Sequence, residues 1–161
     1  MLRSKRDSDI FVEKSIIEKC AEKSAAPEDI ISLLMKLDID RQKGFGEKIE
    51  KKNVEGEFEL IFSSAVADLP IIGGLVKGYM PNKELITFDF NEKQMSLIVQ
   101  TLPFVPSIDI FGDNLTWKEE GALEYTVRGK ESASRWDILY ADETICAAKS
   151  SVTGFNVIKR I

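Results

Sequence analysis

Past residue 55 the chain abandons helical spacing and becomes a succession of short runs rich in Val, Ile, Phe, Tyr and Trp, separated by clusters of turn-forming residues. Runs of this kind build antiparallel sheets, because alternate side chains of a strand face opposite sides and a tight turn returns the next strand beside it. The runs cover 56–64, 83–90, 94–101, 107–113, 114–119, 122–129, 135–141, 143–149 and 153–160. These nine runs predict about eight strands, with one boundary a bend inside a strand. Short turns such as Asn91-Glu92-Lys93 and Glu119-Glu120-Gly121 favour up-and-down order, and closing that order into a barrel leaves no edge unpaired.

Before the strands, two helices are expected. Asp7 to about Ser24 carries Ile16, Ile17, Cys20 and Ala21 on one face, with Asp7 or Ser8 as its N-cap. A second helix begins at Pro27, a residue suited to the first helical turn, followed by Glu28 and Asp29 where the helix dipole favours acids. Ile30, Ile31, Leu33, Leu34 and Leu37 give it a wide apolar face, and the polar stretch 41–53 reads as a connector. The organisation is thus a helical segment with its connector over 1–53 and a β-barrel over 54–161, together one domain. The helices are expected to plug or cover one barrel end.

Composition narrows the chemistry. Among 161 residues there is no histidine, which removes Ser-His-Asp and Cys-His catalysis and histidine-ligated metals. The two cysteines, Cys20 and Cys146, form no C-x-x-C, so no zinc site or disulfide framework is indicated. With 22 Lys and Arg against 27 Asp and Glu, the net charge is −5, the wrong sign for a nucleic-acid groove. No run is long enough for a membrane-spanning helix, and the basic start, residues 1–6, leads into Asp7-Ser8-Asp9 rather than the apolar core of a secretory signal. Asp89, Asp109, Asp113, Asp137, Asp142 and Glu143 lack calcium-loop spacing. They read as turn or outward-facing residues, and no catalytic or metal-binding residue is assigned.

Binding is the leading reading, and an isomerase or hydrolase acting on a lipid through carboxylates and Tyr79, Tyr125 or Tyr140 is a distant alternative. Candidates for the barrel interior are Phe62, Phe88, Phe90, Ile98, Ile110, Trp117, Tyr125, Trp136, Ile138, Tyr140, Phe155 and Val157. They would line a ligand cavity or fill a solid core, since an eight-stranded barrel is just wide enough for either. Two apolar connectors, 65–82 with Ile72, Leu75 and Tyr79, and 102–106 with Phe104, would form lips at one mouth. Gly56 and Phe58 on the first strand and Arg160 on the last would meet where the barrel closes, an Arg stacked on an aromatic ring. A similar arrangement, with Trp in place of Phe, closes one end of lipocalin-type barrels, where its role is structural.

The stretch Trp136-Asp137-Ile138-Leu139-Tyr140-Ala141-Asp142-Glu143-Thr144-Ile145-Cys146-Ala147-Ala148-Lys149, followed by Gly154-Phe155 and Lys159-Arg160, resembles the C-terminal signature of the plastid lipid-associated proteins, or fibrillins. Val54 through Ser64 looks like that family's first strand, and Gly73 through Phe88 like its segment carrying an aromatic, a proline and a phenylalanine. The resemblance covers about residues 27–161. It departs at Phe58, where the family has Trp, at Phe62-Ser63-Ser64 for Tyr-Thr-Ser, at Lys149 for Arg, at Cys146, which stands where some members carry Arg, and at the turn reduced to Gly154. The resemblance implies a lipocalin-like barrel without enzymatic activity, located in a plastid and peripheral to thylakoid or plastoglobule. It also implies a hydrophobic small-molecule ligand, such as a lipid, quinone or carotenoid. The alternative is a filled barrel that serves as an interaction subunit on a pigment-protein complex of the photosynthetic membrane.

Overall fold

The computed structural model describes residues 2–67, 78–80, 82–100 and 106–161, and the side chains of these except 2–11, 66 and 67. Eight strands run in chain order around a closed antiparallel barrel: β1 (Gly56–Ser63), β2 (Lys83–Asp89), β3 (Gln94–Gln100), β4 (Ile108–Lys118), β5 (Ala122–Val127), β6 (Ala133–Ala141), β7 (Ile145–Ser150) and β8 (Gly154–Arg160). Each pairs with the next, and β8 returns to β1. This is the lipocalin-like order the sequence predicts. The nine runs become eight strands because 107–113 and 114–119 are one long strand, β4. It bends at Asn114, whose φ is +59° and beside which the pairing with β5 shifts register. Asparagine is among the few non-glycine residues that tolerate this conformation.

One end of the barrel is sealed. Arg160 lies with its guanidinium 4.6 Å from the centroid of the Phe58 ring. It donates to the carbonyls of Glu55 at 2.7 Å, Glu143 at 2.9 Å and Asn53 at 3.3 Å. Phe58 and Arg160 are register partners across β1 and β8, and a Cβ on Gly56, at φ +124°, would collide with the guanidinium. Gly56, Phe58 and Arg160 therefore meet as the sequence suggests. Above them Phe88, Phe90, Leu115, Leu123, Ile138 and Ile158 fill the barrel, with Trp117 set edge-on to Phe90 at 5.9 Å.

The helices do not plug an end. α1 (Leu2–Ala21) and α2 (Pro27–Gln42) lie against the outer wall made by β1, β6, β7 and β8. There Ile17, Cys20, Ile30, Leu33 and Leu34 pack on Ile61, Leu139, Ile145, Ala147 and Val157. The reason is visible in β7, Ile145-Cys146-Ala147-Ala148-Lys149-Ser150, which is buried on both faces. Cys146 and Ala148 face the barrel core, whereas Ile145 and Ala147 face the helices, Ala147 small enough for close approach. α1 begins five residues before the expected cap and ends at Ala21, where Lys23 turns to φ +58° and the Lys23 and Ser24 N–H groups donate to the Cys20 and Lys19 carbonyls. A third, one-turn helix, α3 (Ser64–Ala67), follows β1. No described helix is long and apolar enough to cross a membrane.

Two ties fix the helical layer. The Tyr79 hydroxyl donates to the Ala25 carbonyl at 2.6 Å, and Lys149 meets Asp38 at 2.9 Å. Farther along, Arg41 donates to the Glu120 carbonyl at 3.0 Å and approaches Asp137 at 3.2 Å, drawing the connector toward the sealed end.

Replacing Arg160 by Met is expected to remove the ring contact and leave the half-buried Glu55 and Asn53 carbonyls without this donor, at a cost of about 1–2 kcal/mol. Thermal unfolding followed by circular dichroism should move down by about 2–8 °C, and Arg160→Lys should recover little, lacking the planar fork. A second expectation concerns alkaline pH. Burial pushes the Cys20 and Cys146 thiols and the Tyr79 phenol up to about 12. The folded chain holds these protons more tightly than the unfolded one, so the stability they confer is complete below their ordinary values and is lost from about pH 9 to about 12. Urea midpoints measured across that range should fall steadily, and the double variant Cys20→Ala, Cys146→Ala should show a shallower fall.

Candidate ligand cavity in the open half of the barrel

The opposite half of the barrel is hollow. A cavity of about 550 Å³ lies within it, at the end carrying the β1–β2, β3–β4, β5–β6 and β7–β8 connections. Period-two alternation builds the wall: Glu84 and Ile86 on β2, Met95 and Leu97 on β3, Tyr125 and Val127 on β5, Ser134 and Trp136 on β6. Leu60, Ile110, Ser150 and Asn156 complete it, and Phe111, Asp109, Arg128, Lys130, Ser132, Val152 and Thr153 stand near the rim. Gly112 contributes by absence. A Cβ there would run into Met95 and Tyr125, so the missing side chain lets those two residues sit back against β4.

The polar groups inside are neutral and unequally satisfied. Asn156 Nδ2 donates to Thr153 Oγ1 at 2.8 Å and the Gly154 carbonyl at 3.1 Å. Ser150 Oγ accepts from the Val152 and Thr153 N–H groups. Both residues are thus engaged in shaping the β7–β8 turn. Trp136 is held edge-on to Phe88, ring centroids 5.5 Å apart, and its indole Nε1 is buried with no hydrogen-bond partner among the described residues. Burial raises the Tyr125 phenol above its ordinary value, while the neighbouring Trp136 and Ser134 side chains offset part of that rise.

Charge is confined toward the mouth. Glu84 is half-buried, burial raises its carboxyl above the usual range, and it has no ion pair among the described residues. Arg128 is turned outward onto Asp113, with bonds of 2.9 and 3.0 Å, and over the Phe111 ring. Asp137 pairs on the outer wall with Arg135 at 2.9 Å and with Arg41. Asp142 caps the β6–β7 turn, accepting the Thr144 and Ile145 N–H groups at 2.8 Å and the Tyr140 hydroxyl at 2.7 Å. No group of potential metal ligands occurs among the described residues.

The predicted interior residues divide three ways. Tyr125, Trp136 and Ile110 line the cavity, while Phe88, Phe90, Trp117 and Ile138 belong to the filled half. Phe62, Tyr140, Phe155 and Val157 lie outside the barrel, against the helical layer, where Tyr79, expected at a lip, also packs, and Ile98 alternates outward beside Leu97. Two bulges account for Phe62 and Tyr140. Register shifts after Leu60 in β1 and after Ile138 in β6 insert one residue each, which inverts the in-out parity beyond them. Phe62 then meets Tyr79 edge-on at 5.6 Å on the outer side. Ile72, Leu75 and Phe104, expected at the lips, lie outside the described residues. The residues missed are Leu60, Ile86, Met95, Leu97, Val127, Ser134, Ser150 and Asn156. Counting by twos from Trp136 and Ile158 finds Ser134 and Asn156, but nothing in composition marks a serine or asparagine as inward.

No family model matches the chain, and no curated protein or solved structure matches it either. The class defined by fold and site is therefore a lipocalin-like barrel, sealed at one end and hollow at the other.

Gly112→Val should force Met95 and Tyr125 into the cavity. The expected cost is about 1–3 kcal/mol in urea unfolding, with weaker uptake of the neutral apolar dye N-phenylnaphthylamine. Gly112→Ala should show both effects to a smaller degree.

Proposed function

We propose that the protein is a non-enzymatic carrier that holds a hydrophobic molecule, a lipid, quinone or carotenoid, in the open half of its barrel. The observation that carries this reading is the cavity of about 550 Å³, walled by Leu60, Ile86, Met95, Leu97, Ile110 and Val127 and reached from one end. Its size and mostly apolar wall with a few polar groups are those of small-molecule sites. Among the described lining residues no hydroxyl is hydrogen-bonded to a carboxylate or a lysine, which favours binding over chemistry. The resemblance of 136–160 to the plastid lipid-associated proteins supports the same class of ligand. On that reading the protein works in a plastid, peripheral to thylakoid or plastoglobule.

A second reading, an interaction subunit on a pigment-protein complex, is favoured by the outer face of α2. Met35 and Ile39, one turn apart, are 51% and 48% exposed, and Phe45 just beyond the helix is 70% exposed. Native mass spectrometry with organic extraction of protein from its own source separates the two. A stoichiometric hydrophobic molecule supports the carrier; a ligand-free barrel recovered with a photosynthetic complex supports the subunit. In the purified protein, Leu97→Trp should lower N-phenylnaphthylamine affinity at least about tenfold by filling the cavity. Equal affinity in the variant and the wild type would remove the cavity from the reading.

A further inference from the structure

We infer that the cavity takes an uncharged apolar chain headed by a hydroxyl, which donates its hydrogen to Asn156 Oδ1 at the cavity floor. This rests on the cavity being the ligand site and adds which ligand chemistry it takes.

Asn156 lines the cavity and is only 1% exposed. It stands opposite Ala148, itself opposite Ile138 of the filled half, so it marks the level at which the cavity ends. Its carboxamide is fixed in one sense. Nδ2 donates to Thr153 Oγ1 at 2.8 Å and to the Gly154 carbonyl at 3.1 Å. A carbonyl can only accept, so exchanging the amide nitrogen and oxygen would set two acceptors against each other. Oδ1 is left with no donor among the described residues. The polar side-chain atom there that is both fully enclosed and unpartnered is Trp136 Nε1. Asn156 Oδ1, equally unpartnered, is therefore not enclosed, and the small surface that Asn156 keeps lies at this oxygen, on the cavity it lines.

The other polar groups of the wall do not offset this. The hydroxyls of Tyr125, Ser134 and Ser150 can each donate or accept, so they fit a ligand of either kind. Glu84, nearer the mouth and without an ion pair among the described residues, is when ionised a second group that only accepts. Arg128 and Lys130 are exposed at the rim, and Arg128 is bound to Asp113. A ligand hydroxyl gives Oδ1 the hydrogen bond it lacks, whereas a hydrocarbon, an ether or a quinone carbonyl leaves a buried acceptor unpaired, which is costly in an apolar enclosure. A carboxylate head fares worst, since it brings negative charge to an oxygen that only accepts and has no cation at the floor to meet it.

The test uses the whole chain with N-phenylnaphthylamine as reporter, displaced either by 1-dodecanol or by methyl undecyl ether. The two are isomers, and only the alcohol can donate. The wild type is expected to hold the alcohol about tenfold more tightly than the ether, and folded Asn156→Leu to lose that preference. Because Asn156 also holds the β7–β8 turn, a second measurement needs no variant: in the carbon-13-labelled wild type, the side-chain carbonyl resonance of Asn156 should move with the alcohol and stay in place with the ether. Equal affinity for the isomers in the wild type, an unchanged preference in Asn156→Leu, or the same response of the Asn156 resonance to both, overturns the recognition of the hydroxyl and leaves the carrier reading standing. Failure of the reporter and of both isomers to bind the wild type overturns the carrier reading, and this inference with it.

Discussion

Closure of β8 onto β1 is the constraint on which the rest of the molecule depends. One guanidinium, that of Arg160, stacks on Phe58 and gathers carbonyls from the connector and from the β6–β7 turn. The entry to the first strand, the exit of the last and the turn leading into the neighbouring strand β7 are thereby held at one point. An arginine suits the task because its planar fork donates in several directions while its face remains free for the ring. Gly56 is required at the same point, since only a residue without Cβ leaves room for the guanidinium. With this end sealed, the cavity lies toward the other.

The barrel then divides by side-chain volume. Aromatic and branched residues, Phe58, Phe88, Phe90, Leu115 and Leu123, crowd the sealed half. In the open half Gly112, Ser134 and Ser150 replace bulk with space. An eight-stranded barrel has no spare width, so a few small residues at inward positions decide between a packed core and a cavity. The neutral polar groups of that half are few beside its apolar wall.

The helices do a separate job. They cover the outer faces of β1 and β6 to β8, so that part of the barrel is a sheet buried on both sides and the remainder faces solvent. The outer ion pairs of Arg135 with Glu120, Glu124 and Asp137 are largely solvated and add little stability individually. The apolar packing of Cys20, Leu34, Ala147 and Val157 is what seats the layer. Cys20 is buried in that layer, whereas Cys146 is buried in the barrel core.

Much of this was legible in the residues themselves. The change of period after residue 55, the turns, the two helices with Pro27 at the second helix start, and the meeting of Gly56, Phe58 and Arg160 all follow from local rules that act over a few positions or from strand order alone. The face of the barrel on which Phe62 and Tyr140 lie did not, because each stands past a bulge, and a bulge depends on how two strands settle against each other. The seat of the helices was equally hidden: an apolar helical face states that it must be covered, not by which surface. The cavity was decided last of all, since whether inward residues meet at the barrel axis is a sum over all eight strands. Local chemistry determined the elements and their order; tertiary packing determined the inside, the outside and the space left between.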